Sequence, residues 1–165
     1  MPRSAKFTLY MLALAASLCA SVSYAAEPAA TTDNNTFVVY KHRFCFCCKH
    51  WIEHLNTNGI QTEVAYRGDM TEVKGRWGVP EGMGGCHTAV WRGKYVFEGH
   101  VPARLINKFL ADPPEGSFGL AVPGMPDGSP GMYKGGEFEP YNVYLLLGGG
   151  DYRFYARVEQ PEEAE

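Results

Sequence analysis

Cys45-Phe46-Cys47-Cys48 puts three thiols within four residues, and the chain has only Cys19 and Cys86 besides. Thiolates are nucleophiles, redox partners and soft-metal ligands, so this cluster is where the chain can do chemistry. Cys45 and Cys48 alone have the spacing of a redox pair. A helix beginning there would lower their pKa through its unpaired N–H groups and its dipole. Cys47 changes the problem. Neighbouring Cα atoms lie about 3.8 Å apart, below the roughly 4.4 to 6.8 Å of a relaxed disulfide, so Cys47 and Cys48 do not pair with each other. Two bridges would then be Cys45–Cys48 with Cys47–Cys86, or Cys45–Cys47 with Cys48–Cys86. Either would be confined to one corner, a poor staple for a domain that has its own core.

Four converging thiolates suit a soft metal: Cu(I), zinc or an iron–sulfur centre. Structural zinc sites typically draw two cysteines from each of two elements. Three from one turn and one from a neighbouring loop better suit sulfurs that bridge several ions. Cu(I) tolerates low coordination, and four thiolates would balance four such ions in charge. The thioethers of Met125 and Met132 are also Cu(I)-favouring donors, although methionine equally serves to fill gaps in a core.

These sulfurs need elements to hold them. Phe37-Val38-Val39-Tyr40 reads as a short buried strand leading into the cluster. From Cys48, apolar Trp51, Ile52 and Leu55 recur at helical spacing, so a helix starts at the cysteines and ends near Asn58-Gly59. A second strand is expected over Ile60 to Tyr66. Asp69 then caps a helix that carries Met70, Val73 and Trp77 and stops at Gly78 and Pro80. Thr88–Trp91 and Tyr95–Glu98 flank Arg92-Gly93-Lys94 as a hairpin, and Pro102 opens a helix with Leu105, Ile106, Phe109 and Leu110 on one face.

The order β-α-β-α-β-β-α predicts an α/β domain of the thioredoxin-like class over residues 37–112. In that topology the segment entering the third strand lies beside the C-x-x-C and normally holds a cis-proline. Here it is Gly85-Cys86-His87-Thr88-Ala89, which puts His87 in the proline's place and turns Cys86 toward the other sulfurs.

Residues 113–140 hold six prolines and seven glycines without periodicity. Their apolar content (Phe118, Leu120, Val122, Tyr133) favours an ordered wrap over a linker. Tyr141 to Leu147 and Tyr152 to Val158, joined by Gly148-Gly149-Gly150-Asp151, read as a terminal hairpin, so a C-terminal extension over 113–158 is expected to pack on the same domain. An acidic tail, 159–165, follows.

Bulk properties narrow the class. Basic Arg3 and Lys6, an apolar run through Leu18 and small residues at Ala25 and Ala26 are expected to form a secretory signal over 1–25 or 1–26, too short to span a bilayer. Cys19 leaves with it, since Leu18 stands where a lipidated cysteine needs a small residue. Residues 27–36 read as a flexible leader. The full chain has 15 basic and 18 acidic side chains; without Arg3 and Lys6 it has 13 and 18, a net charge of −5. That argues against nucleic-acid binding. About 140 residues remain, enough for one core. Export makes two structural disulfides the ordinary explanation of four cysteines.

Several histidines compete for a role. His50 and His54 are four apart on the first helix and are expected on its solvated face. His87, beside Cys86, is a candidate ligand or proton carrier with a structural role as the alternative. His100 reads as a turn-stabilising imidazole, with ligation as its alternative, and His42 is near the cysteines in sequence only. Trp51 is expected in the core. No Ser-His-Asp set, phosphate-cradling loop or paired carboxylates can be argued.

Lys41 with Cys45-x-Cys47-Cys48-x-x-Trp51, then Cys86-His87-Thr88-Ala89, Glu98-Gly99-His100-Val101-Pro102, Gly119-Leu120-Ala121-Val122-Pro123-Gly124-Met125-Pro126 and Gly128-Ser129-Pro130-Gly131-Met132 resemble the CopG-type copper-resistance proteins over roughly residues 37–146. The resemblance implies a periplasmic thioredoxin-like domain with a metal-binding extension. It also implies a multinuclear, cysteine-bridged copper cluster on Cys45, Cys47, Cys48 and Cys86, and interconversion of Cu(I) and Cu(II) in detoxification. Copper ions are the expected partner, together with other periplasmic copper-efflux components. Phe46 departs from the pattern, where glycine is frequent. A non-redox copper store or chaperone, and a thiol–disulfide oxidoreductase using Cys45 and Cys48, are the rival functions.

Overall fold

A computed structural model describes residues 35–161; the expected signal segment, the leader up to residue 34 and the end of the acidic tail lie outside the described residues. The elements run β1 (Phe37–Lys41), α1 (Phe46–Thr57), β2 (Thr62–Tyr66), α2 (Met70–Arg76), β3 (His87–Trp91), β4 (Tyr95–Glu98), α3 (Ala103–Ala111), β5 (Ser117–Ala121), β6 (Tyr141–Leu147) and β7 (Tyr152–Val158). The strands form one mixed sheet in the order β2-β1-β3-β4-β5-β6-β7. β1 runs parallel to β2 and antiparallel to β3, β3 is antiparallel to β4, and β4 is parallel to β5. The expected order β-α-β-α-β-β-α is found from β1 to α3.

Strand alternation builds two apolar layers, because successive side chains point to opposite faces. Ala89, Phe97, Leu120, Val143 and Leu145 face one side, where Trp51 and Leu55 of α1 and Leu105, Ile106 and Phe109 of α3 cover them. Their neighbours Val90, Val96, Ala121 and Leu146 face the other, against Met83 with Trp77 and Phe118. Trp51, expected in the core, is fully buried, and its indole N–H donates to the Val101 carbonyl at 2.9 Å.

The Pro/Gly-rich stretch contains a strand that its composition concealed. β5 slots between β4 and β6, so the sheet continues into the C-terminal part without a break. Gly119 makes this approach feasible: a Cβ there would lie 1.8 Å from the Val96 carbonyl oxygen. A glycine that weakens the strand's propensity is what lets the strand pair.

Candidate metal centre

The C-terminal end of β1 delivers the chain to Cys45, the N-cap of α1, whose backbone is extended (φ −79°, ψ 98°). Its side chain caps nothing and the first turn holds no acidic residue, so no capping side chain or carboxylate offsets the positive end of the helix dipole beside the sulfurs. Cys45 and Cys48 are joined by a disulfide with Cα atoms 5.5 Å apart. Cys47 and Cys86 are free thiols. Of the two double-bridge schemes, one bridge of the first is formed and the second pair stays reduced at 3.7 Å.

The remaining distances show convergence. Cys47 Sγ is 3.5 Å from Cys45 Sγ, and Cys86 Sγ is 3.3 Å from Cys48 Sγ. All four sulfurs lie within 4.8 Å of one another. Met125 Sδ comes to 3.9 Å from Cys47 Sγ. Met132 makes no such approach among the described residues; its backbone N–H instead closes a turn on the Ser129 carbonyl at 2.9 Å.

Two buried imidazoles complete the arrangement behind Cys86. His100 Nε2 is 3.1 Å from Cys86 Sγ, and its Nδ1 is 2.7 Å from the Pro130 carbonyl. A carbonyl only accepts, so Nδ1 carries the proton and Nε2 turns its lone pair to the sulfur. The turn-stabilising role expected of His100 is thus combined with a donor atom facing the cluster. His87 Nδ1 lies 3.5 Å from the same sulfur, its ring is 4.1 Å from that of Trp51, and its buried Nε2 has no hydrogen-bond partner among the described residues. Burial lowers the pKa of both histidines, and for His87 the neighbouring His100 adds to the effect. Burial, and then the charge of Cys47, push the Cys86 thiol up to about 12, while Lys74 pulls the other way.

His54 differs from expectation. It is half-buried, and its Nε2 accepts the Ala103 N–H at 3.1 Å, so it caps α3 from across the helix pair. The partner is 49 residues away in sequence, and i,i+4 spacing carries no trace of it. His50 and His42 are exposed.

Two residues to which the sequence assigned no role hold Cys86 in place. Glu98 is fully buried at the end of β4. Its carboxylate accepts from the Gly85 N–H at 2.7 Å, from the Thr88 hydroxyl at 2.6 Å and from the Lys74 ammonium. These partners flank Cys86-His87 on both sides, so one carboxylate fixes the backbone that presents the fourth sulfur. Burial raises the Glu98 pKa, opposed by Lys74 and by the other two donors. The signal was legible in part: Glu98 shares the face of Val96, and a carboxylate buried there must find a cation. That the cation is Lys74 of α2 was not.

The segment from Val122 to Tyr133 closes the site. The Val122 N–H donates to the Glu98 carbonyl at 2.9 Å and the Gly124 N–H to the Gly84 carbonyl at 3.0 Å. Gly131 (φ 83°) passes so close over α1 that a Cβ would lie 2.6 Å from the Trp51 nitrogen.

An α/β domain whose clustered sulfurs and imidazoles form a set fit to hold metal is what the fold and site define. A family described as a protein of unknown function, DUF411, matches residues 83–132. Two solved structures, both titled copper resistance protein CopG, are similar over nearly their whole length. Form 2 is 43% identical with a TM-score of 0.69, covering 75% of this chain and 98% of that one. Form 1 is 42% identical with a TM-score of 0.69, covering 77% and 98%. No curated protein matches. The chain belongs to the CopG family of copper-resistance proteins, the family its motifs resemble.

Proposed function

We propose that this chain is an exported, periplasmic copper-binding protein of copper resistance, built on a thioredoxin-like scaffold. In this reading Cys45, Cys47, Cys48 and Cys86 hold a multinuclear copper cluster, with Met125, His87 and His100 as further donors and Met132 outside the first contacts. The observation that carries it is the convergence of four sulfurs within 4.8 Å, backed by an imidazole lone pair. Thiolate, thioether and imidazole form a donor set that fits Cu(I). Among the described residues no helix is long and apolar enough to cross a membrane.

This chain's residues do specific work here. The Cys45–Cys48 bond takes two electrons and two protons from a thiol reductant before both sulfurs are available. Cys86, protonated at neutral pH, gives up its thiol proton on ligation, which makes uptake tighter as pH rises. Bound copper would supply one-electron chemistry, each Cu(I) to Cu(II) step passing one electron to an external carrier. Trp51 and Pro130, packed on His87 and His100, keep water from the inner side. Other copper-efflux components are the partners this role requires.

A thiol–disulfide oxidoreductase is the second reading, favoured by the Cys45–Cys48 disulfide at a helix N-terminus. Anaerobic titration of the reduced mature protein with Cu(I) decides. Several copper ions bound per chain, lost in Cys86→Ser, support the cluster. A stoichiometry of one or below, with disulfide-reducing activity retained in Cys47→Ser and Cys86→Ser, supports the second reading. A reversible spectral change with copper retained separates redox turnover from storage.

A further inference from the structure

The mouth of the sulfur site is basic in a chain that is acidic overall. Residues 41–49 hold no carboxylate, whereas the chain as a whole has a net charge of −3; Lys41 is buried and Lys49 pairs with Glu53 at 3.6 Å, so Arg43 carries the exposed charge of this segment. Arg67 joins this rim from the turn after β2. The Arg43 guanidinium lies 4.9 Å from the Tyr66 ring centre, with the Lys41 ammonium over the same ring at 5.2 Å. Asp69, the nearest carboxylate along the chain after Arg67, is occupied by the N–H groups of Thr71 and Glu72.

Within the rim, Phe44 and Phe46 are 70% and 75% exposed, flanking Cys45. Beside them runs a groove of about 390 Å³ lined by His42, Arg43, Phe44, Tyr66, Arg67 and Gly68. Two large rings left in water beside a reactive site mark an interaction surface. The cluster is not sealed: Met125 is exposed, Cys45, Cys47 and Cys86 are half-buried, and of the four cysteines Cys48 alone is buried.

A positive rim repels a free copper cation and attracts an acidic macromolecule. Resting on the copper reading above, we propose that this rim is the docking face for an acidic carrier protein that exchanges Cu(I) at the Cys47–Met125 mouth. Carrier carboxylates meet Arg43 and Arg67, and an apolar spot covers Phe44 and Phe46. The ion passes without changing oxidation state, its bonds to the carrier's donors replaced by bonds to the sulfurs of Cys47 and Met125 as the Cys47 thiol releases its proton to solvent.

The test uses a fluorescent methionine-bearing peptide flanked by aspartates, and a twin with lysines in their place, against the reduced mature chain. Metal-free binding is read by anisotropy, and Cu(I) transfer by the rate of copper loading. The acidic peptide is expected to bind and deliver about tenfold better at low salt, an advantage that fades near 1 M salt, where screening acts within about 3 Å. Arg43→Glu with Arg67→Glu is expected to reverse the preference, and Phe44→Ser with Phe46→Ser to weaken both peptides. Equal behaviour of the twins, or a preference that survives the arginine reversal, overturns the proposal. So does binding of both peptides at undiminished affinity after the phenylalanine changes, which would be charge attraction without a docking face. Loading of the wild type from a Cu(I)–acetonitrile complex is read separately: its failure removes the copper reading and leaves the peptide preference to decide the face.

Discussion

Helix α2 opens on Asp69, whose carboxylate takes the N–H groups of Thr71 at 2.8 Å and Glu72 at 3.3 Å, with Glu72 adding charge to its first turn. Helix α1 opens on Cys45, whose side chain caps nothing, and its first turn has no acid. A side-chain cap contributes about 1 kcal/mol. α1 forgoes it, and three cysteines stand at its start instead. The same local problem, four orphan donors at a helix start, is answered for stability in one helix and for chemistry in the other. α2 nevertheless serves the site at a distance, because its Lys74 reaches the buried Glu98 that fixes Gly85 and so Cys86.

That last link gives the largest expected effect. Glu98→Ala leaves Lys74 without its carboxylate and Gly85 without its acceptor, and should cost about 3 to 5 kcal/mol, read as a fall in urea midpoint. A loss below 1 kcal/mol would mean that the Lys74–Glu98 pair does not hold the Gly85–Cys86 backbone. Exchanging the two starts sharpens the contrast. Cys45→Asp in the reduced, copper-free protein should gain about 1 kcal/mol by installing the missing cap, while copper uptake in the same sample collapses. Asp69→Ala should do the reverse, costing about 1 kcal/mol with copper stoichiometry unchanged; equal copper losses from both variants would erase the distinction.

The smallest effect is set by pH. Burial holds His54 below its ordinary value of 6.5, as it does His87 and His100, so the unfolded chain takes up protons first. The stability tied to neutral His54 is therefore full above about pH 6.5 and is lost as pH falls toward its folded pKa. In copper-free protein followed from pH 7.5 down to 5.5, His54→Gln should flatten this decline in the urea midpoint, the remainder belonging to His87 and His100. An unchanged slope would show that the cap on α3 does not depend on the neutral ring.

What could be read in advance follows how local each signal is. The elements from β1 to α3 were legible because hydrophobic spacing, Asp69 and Pro102 are short-range features. Ser117-Phe118-Gly119-Leu120-Ala121 was not read as a strand, since its pairing depends on Gly119 meeting Val96, a contact no local pattern encodes. The sulfurs were legible from spacing together with topology, which brings Cys86 to α1. Lys74, the Pro130 carbonyl and the link from His54 to Ala103 join residues far apart in sequence, and each depends on packing rather than on residue type.

The order in which the parts of this site are made differs from the order in which they matter. A ribosome completes Cys45, Cys47 and Cys48 some forty residues before Cys86 and more than eighty before Pro130, whose carbonyl orients His100, and Gly131, which seats the covering segment on α1. For that interval three adjacent thiols have neither their fourth partner nor their cover. A chain ending short of residue 132 would carry every cysteine and still lack the finished pocket, so faithful maturation has to wait for the part of the protein that contains no cysteine at all.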